Sequence, residues 1–406
     1  MSRLANKQII VGVTGGIAAY KSPELIRRLL DEDASVQAVM SHHAQSFITP
    51  LTLQAVSGNE VRTALMDPAA EAAMGHIELA RWADLIVVAP ATANFMARLA
   101  AGFADDLLAA LCLASACPVA LAPAMNQAMW QSAATQRNAR MLEGDGRLLW
   151  GPGVGSQACG DEGPGRMLEP DQLVEHCIAT LTPKSLEGLR VVVTAGPTRE
   201  ALDPVRYISN HSSGKQGFAI AAAAAAAGAE VELVTGPVHL PTPVGTNRTD
   251  LASASEMHAA VIEKTADADI FIGVAAVADY RPKQAQPQKM KKGRAEGDRL
   301  EVELVQNPDI AASVVAQRPG VFTVGFAAET QAVEENARQK RIRKGLDVII
   351  ANDVSDESIG FDSDQNAVTM VWEDGEARIA AMPKPELATL LIERIAELYR
   401  SSAKVR

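Results

Sequence analysis

Cysteine is scarce in this chain: four in 406 residues, Cys112, Cys117, Cys159 and Cys177, at no spacing that would hold a metal ion. No secretory leader precedes the first apolar strand, so a cytoplasmic protein is expected. Long hydrophobic runs are missing too. The alanine-rich AIAAAAAAAGAEV from Ala219 falls short of the roughly 18 strongly apolar residues of a membrane span and reads as a packed helix. Positive charge is also in short supply. A formal net charge of -11 argues against a general nucleic-acid binder, because a phosphate backbone selects clustered cations. Basic residues gather only at 289–294 and 340–344, which suits a local anion site or a solvated face. What remains, 48% hydrophobic and 21% charged, is the composition of an ordinary globular protein, and the length allows two or three domains.

Two glycine-rich strand-to-helix turns stand out, QIIVGVTGGIAAYKS from Gln8 and LRVVVTAGPTRE from Leu189. In each, a continuous apolar strand runs into glycines where a helix N-terminus leaves N–H groups unpaired, a place for an anion. A tight turn with no ligand has the same residues. The first turn lacks the G-x-G-x-x-G order, and the next strand, ASVQAVMS, ends at Ser41 without the acid that holds an NAD ribose. A mononucleotide such as FMN is therefore favoured over a dinucleotide. NHSSGKQG contains Gly214 and Lys215 but lacks the earlier glycine and following Ser/Thr of a P-loop.

Strands and helices alternate along both halves, the doubly wound α/β pattern with functional groups at the carboxyl ends of strands. TPKSLEG forms a linker. Residues 1–181 are expected to be one domain, 182–189 the linker and 190–406 a second, closing with the hairpin NAVTMVWEDGEARIA and an amphipathic helix around PELATLLIERIAELY. Three residues of the first half could carry chemistry. His76 in MGHIELARWAD could act as a base or pair with an anion, although a lone histidine is more often structural. Asn126 in APAMNQAMW follows a strand end, where an amide can hold a carboxylate. Cys159 in GSQACGDEGPG sits in a stretch too glycine-rich for a core, which suits a thiol acid on a lid or simply a free, inert cysteine.

VTGGIAAYKS, GHIELARWAD, APATAN, APAMNQAMW and SQACG resemble the flavin-dependent cysteine decarboxylases. TAGPTREALDPVRYISNHSSGKQG with AAVADYRP resembles phosphopantothenate-cysteine ligase. In this order they resemble the bacterial bifunctional decarboxylase/ligase family of coenzyme A biosynthesis. That resemblance implies an N-terminal flavodoxin-like domain of the HFCD flavoprotein type and a Rossmann-like α/β ligase domain. It implies CTP-dependent ligation of 4'-phosphopantothenate with L-cysteine through an acyl-cytidylate, then FMN-dependent decarboxylation to 4'-phosphopantetheine. Oxidation of CH2–SH to a thioaldehyde gives the departing carboxylate an electron sink, and hydride and proton return afterwards.

By the same resemblance, His76 assists oxidation or decarboxylation, Asn126 grips the substrate carboxylate and Cys159 is the proton donor. Gly15, Gly16, Ile17, Ser41, Thr92, Ala93, Asn94, Phe95 and Ala124 line FMN. In the ligase half, Asn210 is catalytic, with Ser212, Gly214, Gly217, Ala275 and Ala276 at the substrate. Asp279, Lys289, Pro308, Asp309, Ile310, Ala311, Phe326, Lys340 and Lys344 match nucleotide positions, with Mg2+ accompanying CTP. Lys289 stands in a polar stretch that could fold over the triphosphate. Lys340 and Lys344 share a helical face, where both could meet one polyphosphate. Homo-oligomers, with trimers and dimers combining into a dodecamer, are also implied. A flavin-binding regulatory module, or a nicotinamide oxidoreductase with two Rossmann units, are the competing classes; His76 with Cys159 argues against the first and the missing acid against the second.

Overall fold

In a computed structural model, described here for residues 3–66, 75–157, 160–290, 300–329, 333–353 and 363–404, the chain divides into two compact units, Met1–Leu181 and Thr182–Arg406.

The first unit is built on strands β1 (Gln8–Val13), β2 (Ser35–Met40), β3 (Leu85–Ala91), β4 (Val119–Pro123) and β5 (Leu148–Leu149), all parallel, in the order β2-β1-β3-β4-β5. This is the flavodoxin-like order, whose topological switch point lies between β1 and β3. β3 is buried at every residue, as a central strand covered on both faces must be. Alternate residues feed two cores. Ile9, Val11, Leu85 and Val87 pack with the helices Ser22–Asp31 and Pro170–Leu181 on one face. Ile10, Ile86 and Val88 pack with the helices Ala93–Ala100 and Leu107–Ala114 on the other. A separate antiparallel hairpin, β6 (Gly153–Ser156) and β7 (Glu162–Arg166), follows β5. Trp150, just before it, is buried and stacks on His176 at 5.1 Å between ring centroids.

The second unit contains β8 (Arg190–Ala195), the ribbon β9 (Arg199–Ala201) and β10 (Tyr207–Ser209), then β11 (Glu230–Thr235), β12 (Thr246–Asp250) and β13 (Ile270–Gly273). After these come a second ribbon, β14 (Tyr280–Pro282) with β15 (Leu304–Gln306), and then β16 (Phe322–Glu329), β17 (Val348–Asp353), β18 (Gln365–Trp372) and β19 (Gly375–Pro383). The main sheet has eight strands in the order β12-β11-β8-β13-β16-β17-β18-β19. It is parallel from β12 to β17, the Rossmann order, and antiparallel over the last hairpin. Val191, Val193, Leu233 and Ile272 bury against the alanine-rich helix Lys215–Ala226 and the last helix, Lys384–Ser401. The opposite face packs under the helices Ala254–Lys264 and Ile310–Gln317. Trp372 lies beneath the Arg394 guanidinium, 5.0 Å from its ring centroid. Residues 182–189 stand with this unit: Leu186 is buried in its core and donates its N–H to Ala227 O at 2.9 Å.

Candidate active sites

In the first unit four strand ends are stitched together. The Ser41 N–H donates to Val13 O at 3.0 Å and the Ala124 N–H to Ala91 O at 3.0 Å. Thr14 Oγ1 donates to Pro90 O at 2.7 Å and accepts from the Thr92 N–H at 3.1 Å, which joins the turn after β1 to the turn after β3. Gly15 is required by close approach: a Cβ there would stand 2.5 Å from the His43 Cβ. Thr92 caps the helix Ala93–Ala100, its Oγ1 accepting from the Phe95 N–H at 3.3 Å and its carbonyl from the Met96 N–H at 3.0 Å. The amides of Ala93 and Asn94 head the same helix, where the dipole favours an anion. Ile17, 64% exposed, offers apolar surface beside these donors. Hydroxyls, helix-head amides and an apolar rim suit a flavin mononucleotide, a phosphate monoester carrying a flat ring.

Gly15, Gly16, Ile17, Ser41, Thr92, Ala93, Asn94, Phe95 and Ala124 all lie at or just past the carboxyl ends of β1 to β4, although Phe95 itself is buried in the core. Asn126 caps the short helix Gln127–Gln131, its Oδ1 accepting from the Ala128 N–H at 2.8 Å. His76 is the first residue of the helix His76–Trp82, which packs on the helix Leu107–Ala114. Cys159 lies outside the described residues. Of the other three cysteines, Cys112 and Cys177 are buried and Cys117 is half-buried: burial pushes the Cys112 thiol up to about 12 and also raises those of Cys177 and Cys117.

The second unit carries a cleft of about 480 Å3 at the carboxyl ends of β8, β13 and β16, and a smaller lobe of about 220 Å3 beside it. Residues 274–279 form much of the wall between them; Ala275, Val277 and Asp279, with Phe326 and Lys340, line both. That segment is held by side chains of neighbouring strands. Thr194 Oγ1 accepts from the N–H groups of Val274 and Ala275, at 3.2 and 3.3 Å. Asn210 Nδ2 donates to Val277 O at 3.0 Å, latching its loop to the same wall. In the larger cleft, Asn210, Ser212, Gly214 and Gly217 face Ala275 and Ala276. Gly217 is another close approach: a Cβ would meet the Ala195 Cβ at 2.5 Å, so the absence of a side chain lets the helix Lys215–Ala226 sit on β8.

The smaller lobe brings in Pro308, Asp309, Ile310 and Ala311 at the head of the helix Ile310–Gln317, opposite Lys340 and Lys344 of the helix Val333–Lys344. Asp309 Oδ1 caps its helix through the Ala312 N–H at 3.1 Å, while Oδ2 pairs with Lys344 Nζ at 2.8 Å. Burial alone would raise this carboxyl; the Lys344 hydrogen bond, the Ala312 amide and the charges of Lys344 and Lys340 outweigh it and hold it below the usual carboxylate range. Lys344 thus spends its charge on Asp309, whereas Lys340 reaches both cavities. Lys289 lines neither; its neighbour Met290 is anchored by N–H donation to Asp203 Oδ2 at 3.1 Å and by its carbonyl, which accepts from Arg206 Nη2 at 2.9 Å.

Sequence reasoning passed over several cleft residues: Lys215, Asn352, Asn366 and Lys384. Lys384, 5% exposed, comes from the head of the last helix and Asn366 from β18, so only the folded sheet brings them to a cleft founded on β8. Asn307 was missed as well. Its Nδ2 donates to Ala278 O at 2.8 Å and its N–H to Asp279 O at 2.8 Å, which ties the two lobes together. Among the described residues no group of three His, Cys, Asp or Glu side chains is arranged to hold a metal, and no helix is long and apolar enough to cross a membrane.

Residues 2–182 match the family model described as Flavoprotein, and 186–399 match the DNA/pantothenate metabolism flavoprotein C-terminal domain. Full-length similarity follows the same division. The chain is 59% identical to the coenzyme A biosynthesis bifunctional protein CoaBC of Vibrio cholerae serotype O1, over 98% of this chain and 100% of that one.

This chain belongs to the CoaBC family.

A CoaBC protein of Escherichia coli K12 is 57% identical over 98% of each chain, and one of Bacillus subtilis 168 is 42% identical over 99% of each. As a CoaBC-family member the chain is a bifunctional enzyme of coenzyme A biosynthesis, with a flavoprotein domain ahead of a ligase domain. A nicotinamide oxidoreductase and a merely regulatory flavin module are set aside by that membership.

Proposed function

We propose that the second unit joins 4'-phosphopantothenate to L-cysteine at the expense of CTP, and that the first unit decarboxylates the product with FMN. The reading of the ligase site is supported most by the pair of adjoining cavities that share the 274–279 wall, one for the acid and one for the nucleotide. A carboxylate oxygen of 4'-phosphopantothenate attacks the α-phosphorus of CTP and the bond to pyrophosphate breaks. Cysteine's amine then attacks the acyl carbon, loses a proton, and releases CMP. Asn210, fixed on the wall through Val277 O, orients the acid and the acyl-cytidylate. Lys340, facing both cavities, offsets charge that gathers where they meet. Mg2+ would accompany the triphosphate, keeping several of its waters as this small, hard ion usually does. Lys289 acts at the edge of this site, immediately before Met290, which its contacts with Asp203 and Arg206 anchor.

In the first unit, bound FMN would supply reversible two-electron chemistry, taking a hydride from the cysteinyl CH2–SH so that the resulting C=S accepts the electrons CO2 leaves behind, and giving the hydride back afterwards, with no net oxidant consumed. Gly15, Gly16, Thr92 and the amides of Ala93 and Asn94 would hold its phosphate, and Ile17 and Ala124 would flank its ring. Asn126, its Oδ1 already used by the Ala128 N–H, directs Nδ2 at the carboxylate. His76 takes the thiol proton and Cys159 returns a proton to the enethiolate. The chain works as a homo-oligomer, a dodecamer built from trimers and dimers, in the cytoplasm.

Mass spectrometry of products from 4'-phosphopantothenate, L-cysteine, Mg2+ and either CTP or ATP tests the whole reading. 4'-Phosphopantetheine, CO2, pyrophosphate and CMP are expected, with CTP the better donor. Accumulation of 4'-phosphopantothenoylcysteine alone would remove the decarboxylase assignment. Equal use of ATP would remove the base assignment.

A further inference from the structure

Asn126 Nδ2 already has an acceptor within the chain: it donates to Asp161 Oδ2 at 2.7 Å. The amide cannot turn away without losing its cap, because Oδ1 is committed to the Ala128 N–H at 2.8 Å. Asp161 is held independently. Its carbonyl accepts from the Gln157 N–H at 2.8 Å, and Gln157 Oε1 in turn accepts from the Gln127 N–H at 3.0 Å. Immediately after it begins β7, whose Gly165 O accepts from the Met125 N–H at 2.9 Å. A carboxylate is thus delivered by the β6–β7 hairpin to the amide that receives the substrate's carboxylate in the function proposed above.

We propose that Asp161 is an internal stand-in for the substrate carboxylate, and so a specificity-determining residue: it occupies the Asn126 amide until a ligand bearing its own carboxylate displaces it. Two carboxylates cannot share one N–H2 edge without repulsion, so a carboxylate-bearing ligand must push Asp161 aside. A ligand without one cannot. Once CO2 has left, the product has no group to compete with, and Asp161 reclaims the amide. The residue thereby raises the KM for substrate and favours departure of product. The inference rests on Asn126 being the carboxylate grip, and the test separates the two.

Equilibrium binding to the FMN-loaded, full-length protein is measured by calorimetry with two unreactive probes. 4'-Phosphopantothenoylserine carries the carboxylate without a thiol, and 4'-phosphopantothenoylethanolamine lacks both. Asp161→Ala should bind the serine probe roughly five-fold more tightly, the scale of one solvent-exposed hydrogen bond no longer to be displaced, and the ethanolamine probe as before. Asp161→Asn, which keeps the side-chain volume should the alanine variant fold poorly, should shift the serine probe in the same direction by less. In an Asn126→Ala background, Asp161→Ala should have no effect on the serine probe. Unchanged or weaker serine-probe binding in both Asp161 variants overturns the proposal, as does an equal change for both probes. If Asn126→Ala alone leaves serine-probe affinity untouched, it is the carboxylate-grip reading that fails.

Discussion

Single atoms set the limits of both sites. At Gly217 a methyl group has nowhere to go, because Ala195 Cβ lies 2.5 Å from where it would stand. Gly217→Ala should lift the helix Lys215–Ala226 from β8 at a cost of about 1–3 kcal/mol and lower ligation at least ten-fold. Decarboxylation of supplied 4'-phosphopantothenoylcysteine, assayed in the same preparation, should be untouched. Asn210→Asp replaces the Nδ2 donor to Val277 O with a carboxylate at the proposed acid site, and should abolish amide formation with the same sparing of the other half. Asp309 gives a pH dependence of known sign. Its folded-state value is depressed, so the stabilisation from its pair with Lys344 is complete above the ordinary carboxylate pKa of about 3.9 and fades as pH falls through the lower folded value. CTP binding followed by calorimetry should therefore be insensitive to this pair between neutrality and about pH 5, and Asp309→Asn should remove whatever acid limb appears below that.

At the level of elements, the hairpin β6–β7 is braced where it leaves the sheet. Lys21, 7% exposed and placed directly after the first glycine turn, donates to Glu169 Oε1 at 2.7 Å, and Arg166 at the end of β7 donates to the same oxygen at 3.0 Å. Hydrogen bonding from Lys21 holds the Glu169 carboxyl below its ordinary range. Lys21→Met should loosen the base of the hairpin by about 1–2 kcal/mol, the modest figure reflecting a half-exposed glutamate, and hydrogen exchange should speed up across residues 162–166. None of this bracing was legible in the sequence, where Lys21 and Glu169 stand far apart in unrelated motifs. What was legible were features with local causes. Apolar strands ending in glycines gave β1 and β8, and the alternation NAVTMVWEDGEARIA gave the β18–β19 hairpin. The neighbour order of the strands was implied only by family resemblance, since periodicity reports the faces of a strand and not its partners. Lys384 and Asn366 stayed hidden for the same reason: they reach the cleft through sheet order.

Across the whole molecule, the two units have separate cores and are joined where Leu181 passes to Thr182. A chain cut by engineering just before Thr182, with both pieces produced together, should retain both activities, because every described residue assigned to one reaction lies within one unit. Loss of ligation with an intact flavin spectrum would show that the second unit needs the first. The cut belongs before 182 rather than at 190, since Leu186 is part of the second core. The distribution of indoles offers a way to watch the two halves apart. Of four tryptophans, Trp82, Trp130 and Trp150 belong to the flavoprotein half, and Trp372 stands alone in the ligase half beneath Arg394. Emission from a variant in which the first three are phenylalanine has a single origin, so a spectrometer set to one wavelength becomes a private gauge of the ligase half, reading its melting and its ligand occupancy while the flavin half stays dark.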